Sequence, residues 1–402
     1  MTLLAQVGYG RSDKIQTGIQ AGSISGAILS PRDEDPAKLA SFVQNLRNTN
    51  PASTILFDPQ FYAATIVSPR DQYLSKYPYY SQASGLNRTQ FKPREINKYV
   101  SDCLDYQTNS LPALTYQISP SVLFEDFRDS WSQIALSMAE SAIDKASDPH
   151  QLLVSLIISE QAFKSSDALD EFLDALSSLE VGGFYILICR NVNGHPCNFD
   201  SSILHNIMYL TYVLGAINGY KVFFGYTDWY GALLMAAGAH SVATGWWQNL
   251  RNFSLTRFLP TSGFARRPKK RYPSTPLLSS TLFIPELEGI NSLGWLSQVL
   301  SGITQDHFFN GVTPVEAEQN WSDETYCLAQ WEAMSSLLAS VALQPQSNRL
   351  THLLALINKS KNLYDLLMAR GIIFDANTGP RHLESWSDSI QAFNAKISSA
   401  KP

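Results

Sequence analysis

Short apolar runs, each ended by polar or turn-forming residues, alternate along this chain with amphipathic segments of helical period. That alternation constrains the fold more than any other feature. Strands buried on both faces and joined through helices assemble into a parallel sheet. The runs fall at 25–33 (SGAILSPRD), 53–60 (STILFDPQ), 113–121 (ALTYQISPS), 152–161 (LLVSLIISEQ), 182–191 (GGFYILICRN) and 221–228 (KVFFGYTD). A seventh lies inside 238–253 (GAHSVATGWWQNLRNF) and an eighth at 280–287 (STLFIPEL). Helical patterns at 36–47, 127–145, 167–179, 200–216 and 229–239 separate them.

Seven or eight such units favour a closed ring over an open doubly wound sheet. An open sheet would carry a glycine-rich phosphate loop after its first strand, where SPRDEDP stands instead. The expected fold is therefore α/β, a (β/α)8 TIM-type barrel with a helical C-terminal region. Residues 1–23 read as an N-terminal arm, 24–314 as the barrel and 315–402 as the helical region. The barrel is interrupted by a long insertion at 61–110, whose Tyr73, Tyr77, Tyr79 and Tyr80 suggest a contact surface.

Composition supports a large core. Apolar residues make up 45% of the 402 and charged residues 16%, below the usual ~25%. The net charge of −5 does not itself argue for nucleic acid or membrane. No apolar run approaches the ~18 residues of a spanning helix, and the N-terminus lacks a leader pattern. A cytoplasmic protein is expected. Cys103, Cys189, Cys197 and Cys327 are scattered with no CxxC, which reads as buried reduced thiols rather than structural zinc. The histidines show no HxH or HExxH spacing, so no metal and no cofactor are expected.

In a barrel the C-terminal strand ends form the active face. Reading those ends in order gives Arg32, Asp33, Asp58, Gln60, Ser119, Glu160, Gln161, Arg190, Asn191, Tyr226, Asp228, Thr244, Trp246 and Trp247. Converging carboxylates in unlike surroundings divide acid and base roles. Asp58, Glu160 and Asp228 are accordingly the catalytic candidates. Arg32, Gln60, Gln161, Arg190, Asn191, Tyr226, Trp246 and Trp247 are the substrate-binding ones. Each has a structural alternative. Asp58 suits a turn, Asp228 a helix cap, Glu160 with Arg190 a bridge bracing the mouth, and one of the adjacent tryptophans the core.

From Trp229 to Pro285 there is no Asp or Glu, yet Arg251, Arg257, Arg266, Arg267, Lys269, Lys270 and Arg271 occur there. Clustered cations beside aromatic residues suit a phosphate backbone and stacked bases; the alternative is a solvated loop over core tryptophans.

Two stretches, TILFDPQF at 54–61 and AAGAHSVATGWWQNLR at 236–251, resemble the tRNA-guanine transglycosylase superfamily. Those enzymes are (β/α)8 barrels that exchange or cut the bond between a base and its sugar. The resemblance implies that Asp58 matches the family's strand-end aspartate. Ala243 stands where the family's second, attacking aspartate would be, and the family's zinc cysteines are missing. The reading that follows is an enzyme cleaving or exchanging an N-glycosidic bond of an extruded base. Asp58 would act at the sugar, Glu160 or Asp228 would assist and Trp246 would stack the base, with nucleic acid (DNA or RNA) as partner. A non-catalytic nucleic-acid-binding barrel, a subunit of a larger assembly, is the second reading. A hydrolase of a small sugar or amide is the third.

Overall fold

The computed structural model describes residues 2–70, 72–81, 83, 85–191, 194–260 and 269–399. Its main sheet holds β1 (Thr2–Gln6), β2 (Gly26–Leu29), β3 (Thr54–Phe57), β4 (Gln117–Ile118), β5 (Leu123–Phe124), β6 (Leu152–Ser159), β7 (Gly183–Cys189), β8 (Lys221–Phe224) and β9 (Ser241–Thr244). They run in the order β3-β2-β1-β9-β8-β7-β6-β4, with β5 also on β6. Every pairing is parallel. Gln117 lies opposite Leu152 and Phe124 opposite Ile158, so β4 and β5 are one interrupted stave. Nine strands thus fill eight places around a nearly closed barrel. The gap between β3 and β4 is bridged where Thr115 N donates to Ile55 O at 2.8 Å and Ile55 N to Thr115 Oγ1 at 2.9 Å.

Helices α1 (Lys14–Gln20), α2 (Pro36–Thr49), α3 (Pro93–Ser110), α4 (Ser130–Lys145), α5 (Ser166–Ser177), α6 (Ser201–Thr211) and α7 (Gly231–Ala237) join successive staves. Their starts are written locally. Asp35 accepts from Ala37 N ahead of Pro36, Asp129 from Ser132 N, and Ser165 from Ala168 N, which satisfies amides a helix leaves unpaired. The strands explain their own composition: every residue of β6 and β7 is buried, because helices cover the outside and side chains fill the inside. Gly183 opens β7 with φ +158, where a Cβ would lie 2.0 Å from Lys221 O. Only glycine lets the neighbouring strand come that close.

After β9 the chain forms an antiparallel hairpin of β10 (Arg271–Ser274) and β11 (Ser279–Leu282). Then come α8 (Glu288–Ser292), α9 (Pro314–Asn320), α10 (Asp323–Ala342), α11 (Arg349–Met368) and α12 (Arg381–Ser399). Helix α10 packs against α7, α1 and β1, and its Trp331 Nε1 donates to Thr244 O at 3.0 Å. It therefore takes the eighth place in the outer ring, though it lies far from β9 in sequence. Helices α11 and α12 form a second layer over α7 and α6. Among the described residues no helix is long and apolar enough to cross a membrane.

Three expectations are corrected. The N-terminal arm is a stave: β1 sits between β2 and β9. The run at 280–287 is not a barrel strand, since part of it pairs with β10 and Pro285 withholds the amide a ladder needs. The insertion at 61–110 carries the crossover helix α3. Tyr77, Tyr79 and Tyr80 there are buried, the first two against Phe57 and Tyr106, and only Tyr73 is half-exposed.

Leu4, fully buried on β1, tests this placement. Leu4→Ala should lower the unfolding free energy by about 2–5 kcal/mol in denaturant melts. An unchanged midpoint would mean that residues 2–6 carry no core contact.

Candidate ligand-binding site at the barrel mouth

A turn from the far side of β9 fills the centre of the C-terminal face. Ser254 caps a short helical turn at Leu255–Phe258 by accepting from Thr256 N, and that turn drives Arg257 into the mouth. Its Nη1 donates to Tyr226 Oη at 2.6 Å and its Nη2 to Asp33 Oδ2 at 2.8 Å. Asp33 also accepts from Arg32 Nη1 at 2.9 Å and from Ser30 Oγ at 2.8 Å. Gln60 extends the network: its Nε2 donates to Ser30 Oγ at 2.8 Å and its Oε1 accepts from Arg32 N at 3.0 Å. Gln60 and Tyr226 both hold φ near +54, a left-handed conformation that non-glycine residues adopt at a cost of about 1–3 kcal/mol. Phe253 and Phe258 from the same segment pack edge-on against Tyr62.

Beneath this plug lies Asp58, at 0% exposure. Its Oδ1 accepts from Gln60 N at 3.0 Å, and its Oδ2 from Tyr62 Oη at 3.0 Å and Tyr185 Oη at 3.2 Å. Burial pushes its pKa up to about 6, against the opposing pull of those three donors and of Arg257. Burial likewise keeps Tyr62 and Tyr185 protonated, so both phenols donate. The restraint before Pro59 does place Asp58 at a rigid strand end, as its sequence suggested. Depth is the surprise, because the carboxylate reaches no open space.

The open space stands beside the plug, over the ends of β1, β2 and β9. It is a cavity of about 750 Å³. Tyr9, Trp246, Trp247, Trp321 and Tyr326 supply aromatic surface there, and Arg32, Arg70, Arg257, Lys269, Lys270 and Arg271 supply positive charge against Asp33 and Asp323. Asp58 does not line it. Trp247 is half-buried and Tyr9 is 73% exposed, so both can present a ring face. Trp246 is 2% exposed, tied to Tyr9 O through Nε1 at 3.1 Å and set edge-on to Trp331. It forms wall rather than a free stacking platform.

The other expected residues divide by place. Glu160 Oε2 stands 2.6 Å from Arg190 Nε, and Glu160 Oε1 accepts from Asn191 N at 2.8 Å. That is the bracing bridge. Neither these residues nor Gln161 lines the cavity. Asp228 Oδ2 lies 3.3 Å from both His195 Nδ1 and Cys197 N. Burial raises its pKa, but the His195 contact and the Arg251 charge hold it below the usual value.

The basic stretch is likewise split. Arg251 is consumed inside, with Nε on Gly245 O at 2.8 Å and Nη1 on Tyr326 Oη at 2.7 Å and Gln330 Oε1 at 3.0 Å. Arg271 is bound to Ser280 O, Thr378 and Asp375 at 2.7–3.0 Å. Arg251, Arg257 and Arg271 therefore hold the fold together and are not surface phosphate clamps. Lys269 is exposed and Lys270 half-exposed, while Arg266 and Arg267 lie outside the described residues. Arg70 was missed as a contributor, and Asp33 was read as a strand end without an assigned role. Asp33 stood in the strand-end series, but its pairing with a residue of the acid-free span is invisible in sequence. Compared with known protein families, with characterised proteins and with solved structures, the chain matches none.

Asp58 carries a pH signature. The folded protein holds its proton up to about pH 6, whereas the ordinary value is 3.8. Between those points the folded state binds more protons than the unfolded chain, so stability falls as pH rises. The separation corresponds to roughly 3 kcal/mol. Asp58→Asn removes the titration, so its unfolding free energy relative to the parent should improve by roughly that amount from about pH 4 to 7. Parallel stability–pH curves would rule out a proton on Asp58.

Proposed function

We propose that this barrel binds nucleic acid, DNA or RNA, and admits one nucleotide of a strand end or an extruded position into the mouth cavity. The observation that carries the reading is the lining. Six cationic side chains and five aromatic ones surround one space with two carboxylates. Arg32 and Arg257 are spent on Asp33 and Arg271 on Asp375, so exposed Lys269 and the ring faces of Tyr9 and Trp247 are the groups offered to a ligand. Aromatic faces stack bases of any sequence and cations track phosphates. The volume suits a ligand of nucleotide size. Lys269 is exposed and lines the cavity, where a backbone phosphate would approach.

Binding without cleavage fits this arrangement best. Asp58 meets no ligand as placed, because three hydrogen-bond donors and the Arg257 turn enclose it. Ala243, in place of an attacking carboxylate, is buried in β9 with its carbonyl accepting from Thr227. Asp58 is on this reading a positioning residue that ties β3 to β7 under the plug. Four free, buried cysteines suit a reducing compartment, and we assign the protein to the cytoplasm.

A labelled single-stranded oligonucleotide, followed by fluorescence anisotropy, tests the reading. Trp247→Ala should cost about 1–3 kcal/mol of binding, and Lys269→Glu should reduce the slope of log affinity against log salt by about one. Both positions are exposed enough that the thermal melt should hold. An absence of binding at low salt sinks the proposal. Binding of mononucleotides alone would reassign the cavity to a small ligand.

A further inference from the structure

The loop after β7 and the turn after β8 bring together three groups that the mouth cavity does not use. His195, Cys197 and Asp228 each offer one atom, and these atoms all lie within 4.8 Å of one another. Asp228 and Cys197 are buried, and the His195 side chain is 16% exposed. All three sit at the C-terminal ends of adjacent staves, the face on which barrels place their chemistry.

Spacing separates a ligand set from a plain hydrogen-bonded cluster. His195 Nδ1 and Cys197 N each stand 3.3 Å from Asp228 Oδ2. Hydrogen bonds to an ionised carboxylate close to about 2.7–2.9 Å, so neither contact is tightened. Nitrogen and oxygen bound to zinc at about 2.0–2.2 Å in a tetrahedron stand roughly 3.3–3.5 Å apart. The His195–Asp228 separation already has that value. Sulfur, with its longer bond, belongs roughly 3.6 Å from the other two; Cys197 Sγ lies within 4.8 Å of both, with its thiol on Arg251 O at 3.7 Å.

The loop is braced from outside. Arg190, held by Glu160, donates through Nη2 to Asn198 O at 2.8 Å and lies over the Phe199 ring at 3.7 Å. It thus grips the two residues that follow Cys197. Ligand sets are commonly held in place by such outer contacts.

We propose that His195, Cys197 and Asp228 bind one divalent transition-metal ion, zinc by the chemistry of the donors, with the fourth coordination position open. Thiolate and imidazole select zinc or cobalt over magnesium and calcium. On binding, the thiol proton passes to solvent and a metal–sulfur bond takes its place. Three protein ligands with a vacant fourth position is the pattern of zinc sites that activate water or hold a ligand, whereas structural sites close with four. Sequence spacing hides this set. His195 and Cys197 form a bare H-x-C pair, and the third ligand follows only after α6 and β8.

The full chain, stripped with a chelator and titrated with cobalt(II), decides the matter. Saturation at a single equivalent is expected, with a sulfur-to-cobalt charge-transfer band in the near ultraviolet that added zinc abolishes. Cys197→Ser should lose the band and bind at least ~10-fold more weakly, beyond the lower bound for disturbing an outer contact. His195→Ala, at a partly exposed position, should keep a sulfur band but need at least ~10-fold more cobalt. Cys103→Ser, on α3, should titrate like the parent. A parent with no saturable sulfur band overturns the proposal, as does an undiminished band in Cys197→Ser. The parent's own spectrum decides even where a variant fails to fold.

Discussion

Everything at the mouth depends on β1 being wedged between β2 and β9. Thr2 to Ala5 pair in register with Ser241 to Thr244, while Ala5 and Gln6 pair with Ala27 and Ile28. One row of backbone hydrogen bonds therefore joins β1 to a segment more than two hundred residues away, and a second joins it to β2. The wedge completes the ring and sets the heights of three neighbouring strand ends. Gln6 then accepts from Tyr226 N at 3.2 Å, and the chain beyond β1 carries Tyr9 to the cavity rim. Helix α10 closes the outer ring over the same strand, which is why Trp331 reaches Thr244 O.

The polar plug inside that ring decides which chemistry is open to solvent. The Arg257 side chain is 9% exposed, with Nη2 paired to Asp33 and Nη1 to Tyr226. Buried charges persist only when paired in this way. By filling the centre the plug displaces the accessible space sideways, over β1, β2 and β9. Asp58 is left beneath it with a raised pKa. Two left-handed residues, Gln60 and Tyr226, hold the plug's side chains in place, so local backbone strain and the network support one another. Gln6 Nε2 and Arg257 Nε are buried with no hydrogen-bond partner among the described residues, so the plug is not fully satisfied by its own side chains.

The positively charged span serves two purposes that a sequence reader merges into one. Its arginines at 251, 257 and 271 turn inward and bind carbonyls, hydroxyls and carboxylates. Of its lysines, Lys269 is exposed, while half-exposed Lys270 donates to Glu318 O. The difference is physical: a guanidinium offers several donors in a fixed plane and can answer a cluster of acceptors, whereas an ammonium is strongly hydrated. The same inward turn explains the adjacent tryptophans. Trp246 becomes cavity wall between Tyr9 and Trp331, and Trp247, one residue on, keeps part of its ring exposed.

Most of the architecture was legible in the chain alone. The apolar runs around β2, β3, β6, β7, β8 and β9 and the helices between them follow from local periodicity and capping residues, which act over a few positions. The arm at 1–23 failed as a reading because the place of TLLAQ in the sheet is set by its pairing with β2 and β9, and 280–287 failed because an apolar run does not say with what it will pair. Strand-end reading found Asp58, Asp33 and Trp247 by position, and the acid-free span gave Arg257, but neither showed which would be buried, paired or exposed. Local periodicity and strand polarity are enough to specify a parallel α/β barrel and the residue types at its mouth. That Arg257 plugs the centre, that Asp58 is hidden and that His195, Cys197 and Asp228 meet emerges with the folded ring. Depth and long-range proximity are set by ring closure and packing, which no short window of residues encodes.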